Sequence, residues 1–334
     1  MSRILVLGGT AWLGRAVAHV ALAQGHEVTC LARGGRSAPE GALLVPADRA
    51  DNTTTPYAAL PAASWDLVID VARQPGQVRG ALAALSERAA HWVLVSSVSV
   101  YADHSLPATD ESAPLLPPAI GDVAGPEAYG EGKVACEQAV VGARGPDALI
   151  ARPGLIAGYG DPSDRFGYWP SRFALAAEQS GPVLVPDRTD RPVQWIDVQD
   201  LAGWLVLAGL DGTTGIFDAV GPVTTLGTVL ESAAAVAGFT GPVVRASDAD
   251  LRDAGVEEFM GPRSLPLWLR DPGLSGFLDR SGAEAAAAGL TARSLADTVS
   301  GALAWERELG LGRPRRGAGL DRADELTLIA DLAR

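Results

Sequence analysis

The chain has one lysine, two cysteines, two methionines and four histidines in 334 residues. Cys30 and Cys136 are too distant for a CxxC pair, and His19, His26, His91 and His104 form no HExxH-type cluster. Neither a disulfide framework nor a metal site is expected. Positive charge is scarce as well: 27 basic residues face 40 acidic ones, and the formal net charge of −13 repels phosphate polyanions and anionic lipid. The expected partners are small molecules, with no nucleic acid and no membrane. No apolar run approaches the ~18 residues that a membrane span needs. No basic segment with a long apolar stretch precedes Ile4, so the cytoplasm is the expected compartment.

What the chain does have is an apolar fraction of 47%, enough for a large buried core. Short apolar runs at Ile4 to Leu7, Val28 to Leu31, Leu67 to Val71 and Trp92 to Val95 read as buried strands. Helical patterns separate them at Leu13 to Gln24, which stops at Gly25, and at Val78 to Arg88. A third helix is expected over Tyr129 to Val141 and a further strand over Ala148 to Arg152. This alternation predicts parallel βαβ units. Glycine, proline and aromatics then take over at Tyr159, Phe166, Tyr168 and Trp169, where the chain leaves the sheet. Val193 to Ile196 and the helix after Asp197 read as a return to it. Thr225 to Ala237 and Ala283 to Leu309 carry helical patterns of a second domain, and Arg313 to Arg316 read as a solvated turn.

Gly8-Gly9-Thr10-Ala11-Trp12-Leu13-Gly14 lies where the first strand meets the first helix, the context that a dinucleotide fingerprint requires. Its glycines allow a tight turn and bring helix N-terminal N–H groups up to a pyrophosphate. Ala11 stands where a glycine is usual and sets a methyl group at the closest approach. The expected fold is therefore α/β: a Rossmann-type doubly wound parallel sheet with a smaller, interleaved C-terminal substrate-binding domain. Residues 1–157 and 191–222 are assigned to the dinucleotide-binding part, 158–190 to a substrate-side insertion and 223–334 to the second domain. At the end of the second strand an acid would accept from the ribose 2′-hydroxyl of NAD. Here Leu31-Ala32-Arg33 is followed by Arg36, and a guanidinium suits the 2′-phosphate of NADP. NADP is thus the expected cofactor, with NAD possible. Asp48, closing a third short strand, is placed to contact adenine or to form a turn.

The lone lysine, Lys133, follows Tyr129 by four residues in Tyr129-Gly130-Glu131-Gly132-Lys133, one turn along the same helix face. Upstream, Ser96-Ser97-Val98-Ser99-Val100-Tyr101 ends a strand. Together with the fingerprint, Arg152-Pro153-Gly154-Leu155-Ile156 and Trp195-Ile196-Asp197-Val198, these segments resemble, in order and spacing, the extended short-chain dehydrogenase/reductase superfamily of NAD-dependent epimerases and dehydratases. The resemblance implies that Ser97, Tyr129 and Lys133 are catalytic: Ser97 holds a carbonyl oxygen, Tyr129 is the acid/base, and Lys133 positions the nicotinamide ribose and the tyrosine. It implies that Gly8, Thr10, Ala11, Trp12, Leu13, Gly14 and Pro153 flank the cofactor, and that the chain dimerises through the helix bearing Tyr129. A free phenol titrates near pH 10, and one close ammonium lowers that by roughly 1–3 units, so such a pair favours proton donation during reduction.

The chain also departs from named subfamilies. The acidic pair that dehydratases of the superfamily carry after the catalytic hydroxyl residue is Val98-Ser99 here, and two positions that contact the diphosphate in nucleotide-sugar epimerases are Leu155 and Val193. Arg188, Arg191 or Arg293 could supply a replacement cation. Reductive hydride transfer to a small-molecule carbonyl is the expected function. The alternatives are a nucleotide-sugar epimerase that retains NAD and a non-catalytic or RNA-binding family member. Ser99, Trp169, Arg172 and Gln194 are the expected substrate contacts, with Trp12, Tyr168 and Trp268 as further nominees between pocket and core.

Overall fold

The computed structural model describes residues 1–51 and 55–333. Its first half alternates β1 (Arg3–Leu7), α1 (Trp12–Ala23), β2 (Glu27–Ala32), β3 (Leu43–Pro46), β4 (Trp65–Asp70), α2 (Pro75–Leu85), β5 (Ala89–Val95), α3 (Tyr129–Arg144) and β6 (Leu149–Pro153). After an excursion the chain returns through α5 (Val198–Leu210) to β7 (Gly215–Ala219); α4 (Tyr168–Gln179) belongs to the excursion. The seven strands form one parallel sheet in the order β7-β6-β5-β4-β1-β2-β3. The order reverses between β1 and β4, so a crevice opens above their C-terminal ends.

Helices cover both faces of the sheet, which is why its strands read as unbroken apolar runs. Ile4, Val6, Cys30, Leu67 and Ile69 pack against Val17 and Ala21 of α1 and Leu201 and Trp204 of α5. Leu5, Leu7, Leu31, Val68 and Leu94 face Val78 and Leu82 of α2 and Val140 of α3. Cys30 and Cys136 are buried and free, and burial pushes both thiols up to about 11.

A second lobe is built on α4, α6 (Leu226–Ala237), the helices Leu295–Leu309 and Arg322–Leu332, and a parallel pair of strands, Val183–Pro186 and Val243–Ala246. Phe166, Tyr168, Trp169, Phe173, Trp195 and Trp268 fill its core. Three local expectations need correction. Val193 to Ile196 does not return to the first lobe as a unit: Pro192–Val193 pairs antiparallel with Thr224–Thr225, whereas Ile196–Asp197 pairs with Ile156–Ala157. Val193 and Trp195 belong to the second core and Ile196 to the first, so the chain crosses between lobes at Ile196. The helical pattern over Ala283 to Leu309 is broken into Ala283–Ala287 and Leu295–Leu309, with Gly289 between them at φ +90°, a conformation that ends a helix. Arg313 to Arg316 is not simply a solvated turn. Arg315 is buried and pairs with Glu306 at 2.9 Å, and Arg313 pairs with Asp164.

Candidate active site

The crevice at the switch point is a cavity of about 720 Å³. Gly8, Thr10 and Ala11 line its floor, Arg33, Arg36 and Asp48 one end, and Ala72, Arg73 and Tyr129 the other. Gly8 turns the chain at φ +100°. A Cβ on Gly14 would overlap the Gly8 carbonyl, so only glycine lets α1 approach the loop this closely. The helix is uncapped: Ala11 offers no side-chain acceptor and the first turn carries no acid. Its free N–H groups therefore face the cavity as an anion site. The residues present thus fit a dinucleotide. Trp12 and Leu13 begin α1, and the Trp12 Nε1 donates to the Tyr159 carbonyl at 2.8 Å, tying the loop to the second lobe. Pro153 ends β6, buried, opposite Ala219.

Arg33 and Arg36 are exposed in the turn after β2, which Arg15 braces by donating to the Ser37 carbonyl at 2.6 Å. Asp48 accepts from the Ala50 N–H at 3.0 Å, an Asx-type turn. Beside it Arg49 makes a bidentate pair with buried Asp70 at 2.8 and 2.7 Å and donates to the Gln77 carbonyl. Gln74 bonds Ala124 in both directions and ties α2 to the loop before α3.

Lys133 is 2% exposed. Its Nζ donates to the Ala72 carbonyl at 2.6 Å and the Val95 carbonyl at 2.7 Å, joining the ends of β4 and β5. An ammonium has three protons, so one remains for a ligand. A planar guanidinium could not reproduce these contacts from the same buried position, which gives a physical reason for lysine here.

The Tyr129 ring packs under Arg73, whose Cζ lies 5.3 Å from the ring centroid. Ser97 caps the short 3₁₀ turn Val98–Val100: its Oγ accepts from the Ser99 N–H and donates to the Ser99 Oγ, both at 3.1 Å. The same turn packs on the start of α3, where a Cβ on Gly130 would overlap the Ser99 carbonyl. Gly130→Ala is expected to cost about 1–3 kcal/mol by overpacking and to lower turnover, because the serine turn must move away from Tyr129. Gly142→Ala, on the same helix with open space around it, is the control and should be neutral or slightly stabilising. Urea denaturation and turnover of the two variants check this.

Below the serines runs a buried polar seam that the sequence reading passed over. Glu137 accepts from the Ser96 Oγ at 2.5 Å and from Arg152 at 3.0 and 2.7 Å. Arg152 donates to the Tyr101 hydroxyl at 2.9 Å, and Tyr101 donates to Asp218 at 2.7 Å. Arg280 closes the chain on Asp218 at 2.6 Å, with its guanidinium over the Tyr101 ring. Burial pushes the Asp218 carboxyl up, while Tyr101 and Arg280 pull it back. Glu137 lies four residues after Lys133, so Tyr129, Lys133 and Glu137 share one helix face. That spacing was the available signal.

The four residues nominated for substrate separate. Ser99 stays beside Ser97. Trp169 and Arg172 lie in the interior of the second lobe instead of the cleft: the indole donates to the Pro266 carbonyl, and Arg172 pairs with buried Glu325 at 3.2 Å. Gln194 bonds Gly221 and Arg280 and borders a separate hollow of about 390 Å³. Filling the second core requires large aromatics, and composition alone does not separate these from pocket walls. Trp268 is likewise buried, donating to Asp248. Arg165, half-buried against the Phe259 ring, was overlooked.

A Rossmann sheet with a fingerprint loop, and a Tyr-Lys helix at its switch point, defines the class of dinucleotide-binding α/β proteins. The family model of the NAD dependent epimerase/dehydratase family matches residues 4–216, and the chain belongs to that family. Among solved structures it is similar to a candidate epimerase from Burkholderia cenocepacia J2315 (22% identity, 92% of this chain and 98% of that one, TM-score 0.70). It is also similar to the UDP-Glc/GlcNAc 4-epimerase of Campylobacter jejuni (16%, 92% and 100%, TM-score 0.66) and to UDP-glucuronic acid 4-epimerase of Bacillus cereus in complex with NAD (15%, 92% and 99%, TM-score 0.62). At these identities the likeness is one of fold. No curated protein matches in sequence. Among the described residues no helix is long and apolar enough to cross a membrane, and no cluster of potential metal ligands occurs.

Proposed function

We propose that the protein is an NADP-preferring oxidoreductase that reduces a carbonyl group of a small molecule. The observation that carries this reading is the buried Lys133, held with one proton to spare against the carbonyl of Ala72, a residue that lines the same cavity as Tyr129. The cofactor, when bound, supplies the hydride. Tyr129 then gives its proton to the carbonyl oxygen, Ser97 holds that oxygen, and Lys133 orients the ribose and the phenol. Ser97 enters this role by turning its hydroxyl from Ser99 to the substrate. The uncapped start of α1 takes the pyrophosphate, and Arg33 with Arg36 takes the 2′-phosphate.

Isothermal titration tests the cofactor choice. Charge-assisted bonds are each worth about 1.5–3 kcal/mol, so the parent should bind NADPH roughly 10- to 100-fold more tightly than NADH. Arg33→Asp should remove that preference. Equal affinity of the parent for both cofactors would undo the argument from Arg33.

Retained-NAD epimerisation is the second reading, favoured by the solved epimerases of the same fold. Against it, the three arginines that the sequence offers as replacements for the lost diphosphate contacts are committed: Arg188 to Asp190, Arg191 to Asp248, and Arg293 to Asp200. Purified protein carrying tightly held NAD and binding UDP would decide for the epimerase.

A further inference from the structure

The buried guanidinium groups Arg172, Arg280 and Arg315 are matched by Glu325, Asp218 and Glu306, and half-buried Arg313 is matched by Asp164. Arg165 is different. No carboxylate of the described residues comes within 4.0 Å of its nitrogens, although it is half-buried. The nearest acid in electrostatic terms, Asp161, is turned to the Ser163 N–H at 2.8 Å and is 3% exposed. Arg165 is nevertheless held firmly. Its Nε donates to the Ser163 Oγ at 3.2 Å, and its Cζ sits 5.5 Å from the centroid of the Phe259 ring. Phe259 itself takes a left-handed backbone, φ +64°, a strained choice for a bulky residue. With Nε bonded to Ser163, the two terminal nitrogens of the fork have no protein acceptor among the described residues. The Phe259 ring meets Phe277 edge-on at 5.5 Å between centroids, and Phe277 packs against the cluster that holds Val98 and Val100, which connects Arg165 to the turn capped by Ser97; burial also pushes the Arg165 guanidinium below the usual arginine value. Arg73 packs on the Tyr129 ring. Two guanidinium groups with no acid partner among the described residues, Arg165 next to the serine-turn cluster and Arg73 on the Tyr129 ring, thus stand at this end of the cleft in a chain of net charge −13.

We infer that Arg165, assisted by Arg73, is a substrate-binding residue that receives an anionic group, a carboxylate or a phosphate, carried beside the reacting carbon. The inference rests on the oxidoreductase reading only in taking Tyr129 as the reacting end. A planar fork with two free donors matches two oxygens of one anion. A second guanidinium with no acid partner among the described residues, Arg73, adds to the attraction for an anion in a chain of net negative charge.

The test is equilibrium binding to the full chain saturated with NADPH, or with NADH if that binds better, using three probes at constant ionic strength: malonate, inorganic phosphate and uncharged malonamide. Wild type is expected to bind malonate or phosphate at least about tenfold more tightly than malonamide, with the tighter anion assigning the source. Arg165→Gln should lose that advantage with cofactor affinity kept, Arg165→Lys should keep part of it, and the exposed Arg73→Gln should weaken it less. No preference for the anions in wild type, or an undiminished preference in Arg165→Gln, overturns the inference. If Arg165→Gln does not fold, the wild-type preference and its reduction in Arg73→Gln decide, and an unchanged preference in Arg73→Gln then counts against it. The oxidoreductase reading fails separately, if wild type binds neither nicotinamide cofactor.

Discussion

Exchanging Tyr129 for Phe is expected to lower turnover roughly 10²- to 10⁴-fold, the range of a positioned proton donor, with little change in NADPH affinity. Only the hydroxyl is lost. The ring remains to pack against Arg73, and no group of the described residues bonds the hydroxyl, so its removal leaves no buried partner behind. Thermal unfolding should therefore be unchanged, which separates a chemical defect from a structural one. Steady-state turnover and cofactor titration on the same preparation check the result. Unimpaired turnover would sink the assignment of the acid to Tyr129.

Glu137→Ala is expected to give the largest loss of stability. It leaves Arg152, 1% exposed, with no carboxylate partner, and strips the Ser96 hydroxyl of its acceptor. Breaking a buried ion pair from one side costs about 3–5 kcal/mol, a large share of the ~5–15 kcal/mol that holds a typical fold. The seam also joins α3 to the strand end before Ser97, so loss of turnover should accompany loss of stability. The double variant Glu137→Ala/Arg152→Met removes both charges and should be destabilised by less than the sum of the single variants. Urea denaturation of the set measures the coupling; strict additivity would show that the pair does not act as a unit.

The fold was legible because its signals are local. The apolar runs at Ile4, Val28, Leu67 and Trp92 are buried on both faces and need no partner information to be recognised as parallel strands. The fingerprint loop and the four-residue step from Tyr129 to Lys133 are equally local, since a turn and a helix fix their geometry. Reading failed where burial and charge pairing depend on distant segments. Arg313 and Arg315 look solvated until Asp164 and Glu306 are brought to them. Trp169 and Arg172 look like pocket residues until the second core closes over them.

By itself the sequence determined the parallel sheet, the anion-receiving loop, the placement of Tyr129 and Lys133 on one helix face, and family membership. The first three follow from strand and helix periodicity within short windows, and family membership from the motifs and their order along the chain. Only the tertiary structure decided how Lys133 spends its protons, because the Ala72 and Val95 carbonyls reach it from two separate strand ends. It alone assembled the seam from Glu137 to Arg280 and left Arg165 with no acid partner among the described residues. Whether a charge is matched is a property of the distances between segments far apart in the chain, and no local pattern encodes those distances.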